Sequence, residues 1–136
     1  EGALNAPAKP PPACRKAGMD FISLVAPTSE ERIAMIAREA EGFLYIVSSL
    51  GVTGVRSSIT TDVGAMAALA RAANPQLPTA IGFGISTPEQ ACAMARHADG
   101  VIVGSAIVKQ VAALGAGAPA AVGAYVRGMK AALAGL

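Results

Sequence analysis

The sequence predicts an α/β protein built from four βα units in series around a parallel sheet. Three observations point there. Short apolar runs alternate with longer helix-patterned segments. The runs are apolar on both faces, as strands buried in a parallel sheet are. Glycines recur just after the runs, where βα turns fall.

Glu1 to Pro12 reads as an arm, because Pro7, Pro10, Pro11 and Pro12 remove backbone donors and fix φ. Residues 1–17 are taken as this irregular arm and 18–136 as the folded unit. Ala13 to Gly18 fits a helix end with Gly18 as its cap. Phe21 to Ala26 is the first strand, bounded by Pro27. Thr28 then opens a helix with Glu31 three residues on, and Ile33, Ile36, Ala37 and Ala40 line one face. Gly42 ends that helix.

Phe43 to Ser48 is the second strand, Leu50 to Thr60 a loop, and Thr61 to Ala73 the second helix, stopped by Asn74-Pro75. Thr79 to Phe83 is the third strand. Thr87-Pro88-Glu89-Gln90 starts the third helix with an N-cap, a proline at the first helical position and a capping box. Gly100 is read as closing the next turn, and Val101 to Val103 as the fourth strand. A short helix from Ala106 to about Leu114 follows, then a linker from Gly115 to Pro119. A last helix carries Val122, Tyr125, Val126, Met129 and Leu133 on one face.

Two architectures fit four such units: a doubly wound open sheet, or part of a (β/α)8 barrel, which takes roughly 250 residues when complete. A four-strand sector of a barrel exposes two edges and an apolar inner face. Self-association of such half-barrels is therefore expected.

Composition narrows the function. The net charge of +2 comes from scattered lysines and arginines, with no basic stripe for nucleic acid or a membrane surface. Cys14 and Cys92 have no metal-ligand spacing, and Cys92 reads as a small thiol buried in an Ala-rich helix. No metal site is expected. Glu1 to Pro12 lacks the apolar core of a signal peptide, and no apolar run is expected to reach the roughly 20 residues needed to span a bilayer. The expected location is cytoplasmic.

Glycine signals sit at three strand C-terminal ends: Gly51 to Gly54, Gly82-Phe83-Gly84, and Gly104-Ser105. Ligands bind at that end of parallel α/β folds. Gly104-Ser105 also opens a helix, whose N-terminus attracts anions. Any one of these glycines alone is explained by a tight turn. Three at matching positions, with a helix N-terminus, point to a phosphate cradle. Phe83 and Tyr45, two of few aromatics, suit a flat apolar ligand or equally the core. His97 reads as a surface cation at a helix C-terminus. None of the nine carboxylates pairs for general acid–base work; Asp62, the nearest, is read as a helix cap.

Three segments together carry a family resemblance: Tyr45-Ile-Val-Ser-Ser-Leu-Gly-Val-Thr-Gly54, Gly82-Phe-Gly-Ile-Ser86 with Thr87-Pro-Glu-Gln90, and Asp99-Gly-Val-Ile-Val-Gly-Ser-Ala-Ile-Val108. In order and spacing they resemble the tryptophan synthase α chain, from about Gly18 to Ala134. The resemblance implies strands five to eight of a (β/α)8 TIM barrel. It implies retro-aldol cleavage of indole-3-glycerol phosphate to indole and glyceraldehyde 3-phosphate. Gly54, Gly84, Gly104 and Ser105 would hold the phosphate, and Tyr45, Phe83 and Ile102 would line the indole pocket. Gly51 to Ile59 would be the loop closing the site, with Thr53 orienting a catalytic aspartate. The family's catalytic acids match no position of this chain, so it is expected to be inactive alone. No cofactor is expected on it; pyridoxal phosphate would sit on a partner β chain. Another phosphate-binding barrel of histidine or tryptophan biosynthesis fits less well, because the loop and the third-strand motif match jointly.

Overall fold

The computed structural model describes residues 11–27, 29–48 and 62–136. The predicted loop from Leu50 to Thr60, most of the arm, and Thr28 lie outside them. Six helices and four strands follow in order among the described residues: α1 (Pro12–Lys16), β1 (Ser23–Val25), α2 (Glu30–Glu39), β2 (Leu44–Val47), α3 (Val63–Ala73), β3 (Thr79–Gly82), α4 (Pro88–Ala95), β4 (Gly100–Ile102), α5 (Ser105–Leu114) and α6 (Ala118–Leu133). The short helix α1 falls within the stretch taken as an irregular arm. Gly18 follows it with φ +64, a conformation natural to glycine after a helix end.

The sheet decides between the two architectures. All pairings are parallel and the strand order is β1-β2-β3-β4. A doubly wound sheet reverses its order at a switch point; this one does not. Right-handed crossovers that always step the same way put every helix on one face. The result is a barrel sector.

Register separates the two faces. Leu44, Ile46, Ile81 and Val25 turn toward the helices and are almost fully buried, together with Ala37, Met66 and Ala70 from α2 and α3. Leu24, Tyr45, Ala80 and Gly100 form one row of the opposite face. Leu24 there is 59% exposed. The open apolar inner face expected of a sector is present.

Several boundaries differ from the sequence reading, each for a local reason. Ser29, not Thr28, caps α2: its side chain accepts from Arg32 N–H. Asp62 caps α3 by accepting from Ala65 N–H at 2.9 Å, so this helix starts after Thr61. Gly100 is the first residue of β4 rather than a turn, because Ala80 of β3 pairs with it. Ser105 already belongs to α5. The expected Gly115–Pro119 linker is helical: a 3-10 turn spans Gly115–Gly117 and Pro119 sits in the first turn of α6. Met129 of α6 is buried with Ile85 and Ala91, flanked by Tyr125 and Leu133, but Val126 is exposed. Cys92 is half-buried and donates to the Ala132 carbonyl of α6.

The run Ser105–Leu133, 29 residues, is long and apolar enough to cross a membrane by length and composition. This departs from the expectation that no run is so long. The run is not one straight rod. Gly115 has φ +50, and α6 packs against both α5 and α4.

At the N-terminal end of the strands, Asp99 ties β3 to the approach to β4. Its carboxylate accepts from Thr79 N–H at 2.8 Å and Thr79 Oγ1 at 3.1 Å, and Arg71 lies 3.9 Å away. The Thr79 backbone donor above all holds this carboxyl below its ordinary value, against partial desolvation. A depressed folded-state pKa gives stability that is present above the unfolded value, about 3.9, and lost as pH falls through the folded one. Asp99→Asn is therefore expected to lower the urea midpoint at pH 7. The gap to the unsubstituted chain should narrow as pH falls below the unfolded value and through the depressed folded one, where the Asp99 side chain becomes neutral like asparagine. An equal gap at every pH would show that charge plays no part.

Candidate functional site

The C-terminal ends of the strands hold a cavity of about 190 Å³. Tyr45, Phe83 and Ile102 give it apolar walls; Gly84, Ile85, Gly104 and Ser105 complete it. The structure thus brings together Gly84, Gly104, Ser105, Tyr45, Phe83 and Ile102, six of the residues singled out in the sequence. Gly51, Thr53 and Gly54 lie outside the described residues.

Tyr45 reaches the cavity by strand alternation. It is on the inner face of β2, and its ring lies over Gly82 of β3, two residues beyond its register partner Ala80. A Cβ added at Gly82 would meet the Tyr45 hydroxyl, with ring atom Cζ at 2.6 Å and Cε1 at 2.8 Å. Gly82 is glycine because the tyrosine occupies that space.

The corner after β3 is strained. Phe83 has φ +91, alone in the left-handed region among the described non-glycine residues, and Gly84 follows at φ +74. Such a conformation costs a non-glycine residue about 1–3 kcal/mol. Phe83 is 56% exposed at the cavity rim. Ser48, one residue past β2 and 2% exposed, touches this corner. Its N–H donates to the Gly82 carbonyl at 2.9 Å. Its hydroxyl lies 3.0 Å from the Gly82 carbonyl and 2.9 Å from that of Phe83. In the sequence Ser48 is only a strand end; its partners are 34 and 35 residues away, and no local pattern marks its role.

The helix ends at this rim differ in what their amides can do. Thr87 Oγ1 accepts from Gln90 N–H, while Gln90 Oε1 accepts from the N–H groups of Thr87 and Ser86 and from Ser86 Oγ. The capping box expected for α4 is complete. Helices α2 and α3 are capped by Ser29 and Asp62. By contrast, no side chain caps α5, whose N-cap is Gly104. Its first-turn N–H groups point out of the helix end where Gly104 and Ser105 line the cavity. An anion at that end gains from these donors and from the helix dipole.

Tyr125 braces the corner from α6. Its hydroxyl donates to the Ser86 carbonyl at 2.6 Å. Burial pushes its pKa up, so the phenol keeps its proton. Among the described residues, no acid lines the cavity and no group of three or more His, Cys, Asp or Glu residues is placed to hold a metal. His97 is exposed beyond the end of α4, as expected, with its ring against Gly64 of α3.

Known proteins resemble this chain in sequence and in fold. Residues 6–133 match the family model described as tryptophan synthase alpha chain. The tryptophan synthase alpha chain of Shouchella clausii is 56% identical over 98 residues, covering 72% of this chain and 36% of the relative. That of Lacticaseibacillus casei is 48% identical over 122 residues, covering 90% and 46%. Among solved structures, a tryptophan synthase alpha chain from Legionella pneumophila superposes with a TM-score of 0.68 at 34% identity, covering 90% of this chain and 45% of the other. A mutant α subunit from Pyrococcus furiosus gives 0.69 at 30% identity, covering 86% and 47%. The chain spans less than half the length of these relatives, and its four units are about half of a (β/α)8 barrel. By sequence and by fold, the chain belongs to the tryptophan synthase α chain family.

Proposed function

We propose that the chain carries the phosphate grip and part of the indole wall of a tryptophan synthase α-type lyase. The reaction is retro-aldol cleavage of indole-3-glycerol phosphate to indole and glyceraldehyde 3-phosphate, in tryptophan biosynthesis in the cytoplasm. One observation carries the reading. An uncapped helix N-terminus at Gly104-Ser105 opens on the same cavity as the aromatic pair Tyr45 and Phe83. The first suits a phosphate, the second a flat apolar ring, and indole-3-glycerol phosphate has both.

Proton transfer needs an acid or base within reach of the substrate. Among the described residues no carboxylate lines the cavity wall, so this chain is expected to bind and orient the substrate without turning it over by itself. It needs no cofactor of its own; pyridoxal phosphate belongs to the β chain that would be its partner in the α2β2 assembly. Gly51, Thr53 and Gly54 are assigned to the loop that closes the site, Gly54 adding to the phosphate grip. The 136-residue chain is expected to bind indolepropanol phosphate without releasing indole from indole-3-glycerol phosphate. Indole release would contradict the missing acids, and failure to bind the analogue would contradict the site.

A second reading is a non-catalytic phosphate-binding half-barrel that self-associates. It is favoured by the exposure of Leu24 on the inner face and of Val108 and Val111 on α5. Sedimentation velocity separates the two: this reading requires a dimer or larger species at micromolar concentration.

A further inference from the structure

We propose that Ser48 is a positioning residue for the aromatic wall: its buried hydroxyl holds the corner after β3 in the left-handed turn that delivers Phe83 to the cavity. The inference rests on the reading of that cavity as a binding site for an aromatic phosphate.

Alternation along β3 sets the problem. Thr79 and Ile81 face the helices and are buried, while Ala80 and Gly82 face the inner side. One more extended residue would send Phe83 to the helix side beside Ile81. It stands instead at the cavity with Tyr45 and Ile102. The break in alternation coincides with φ +91 at Phe83. Gly84 accepts its positive φ freely; a phenylalanine does not, and needs surroundings that impose it.

Ser48 supplies them. The two carbonyls flanking the Phe83 Cα, those of Gly82 and Phe83, both lie within hydrogen-bond distance of one hydroxyl. Both are brought to the same side of the chain only when the corner is turned. The Ser48 N–H fixes the first of them independently. The hydroxyl is therefore the group that distinguishes the turned corner from an extended one. At 2% exposure it has no water to exchange for these partners.

The test is a cycle of Ser48→Ala, Phe83→Gly and the double variant. In ligand-free protein, Ser48→Ala should shift the Phe83 ring and the Phe83 and Gly84 amide resonances, while those of β1 and α2 stay in place. Affinity for indolepropanol phosphate should fall about tenfold in the Phe83 background and less than about twofold in the Phe83→Gly background, because glycine takes the turn unaided. If Ser48→Ala fails to fold, adding Phe83→Gly should restore folding. Unchanged corner resonances, equal losses in both backgrounds, or no rescue would each overturn the proposal. If the unsubstituted chain does not bind the analogue, the binding reading fails, and the ligand-free resonances still decide the role of Ser48.

Discussion

Gly82→Ala is expected to cost the chain most of its affinity for indolepropanol phosphate while leaving the parallel sheet assembled. The added methyl falls on the Tyr45 ring, 2.6 Å from Cζ, closer than carbon atoms approach. The methyl cannot yield, because β3 is held by β2 on one side and β4 on the other. Tyr45 must swing away, and with it goes one wall of the cavity. Overpacking of this kind costs about 1–3 kcal/mol, or about five- to 150-fold in affinity if the bound state bears it. Combining it with Tyr45→Leu separates packing from function. The double variant should regain thermal stability but not affinity. Recovery of both would show that Tyr45 does not contact the ligand.

The largest loss of stability is expected at Ile81. It is fully buried in a central strand, between Ile46 of β2 and Val101 of β4 in register, against the helix layer. Ile81→Ala should cost about 2–5 kcal/mol by urea unfolding, from lost burial and the cavity left behind. That is a large part of the stability of a small domain. Leu24→Ala on the open face is the control, expected within about 0.5 kcal/mol because that side chain is already largely exposed. A Leu24 loss as large as that of Ile81 would mean the inner face is covered in solution. That would favour the self-associating half-barrel.

The order of elements was legible in the sequence because each signal is local. Thr87-Pro88-Glu89-Gln90 states a helix start within four residues, and the capping box forms as read. Ile33, Ile36, Ala37 and Ala40 state the inward face of α2, and all four meet the core. Where two neighbours offer the same chemistry, the choice was not legible: Thr28 and Ser29 are both good caps, and Ser29 takes the role. Gly100 looked like a turn because glycine often is one; pairing with β3 makes it strand. The choice between doubly wound sheet and barrel sector depends on strand order, which periodicity does not encode.

The site divides along the same line. Gly84, Gly104 and Ser105 were visible because glycines and a helix start recur at strand ends, and the cavity collects them. Tyr45, Phe83 and Ile102 were assigned through the family, since an aromatic on a strand serves core and pocket alike. Two features depend on contacts between distant segments: the positive φ of Phe83 and the grip of Ser48 upon it. Residues 34 or more apart in sequence make them, so no window of the sequence contains them.

The most direct test of the central claim is a nuclear magnetic resonance titration of the 136-residue chain with indolepropanol phosphate, followed residue by residue. A phosphate grip beside an aromatic wall predicts saturable shifts at the Gly84, Gly104 and Ser105 amides and at the Tyr45 and Phe83 rings. Inorganic phosphate alone should move the amides and leave the rings. Shifts confined to the groove that Pro88 and Cys92 of α4 and its C-cap Arg96 form with Ala132 of α6, or no saturation at any site, would contradict it.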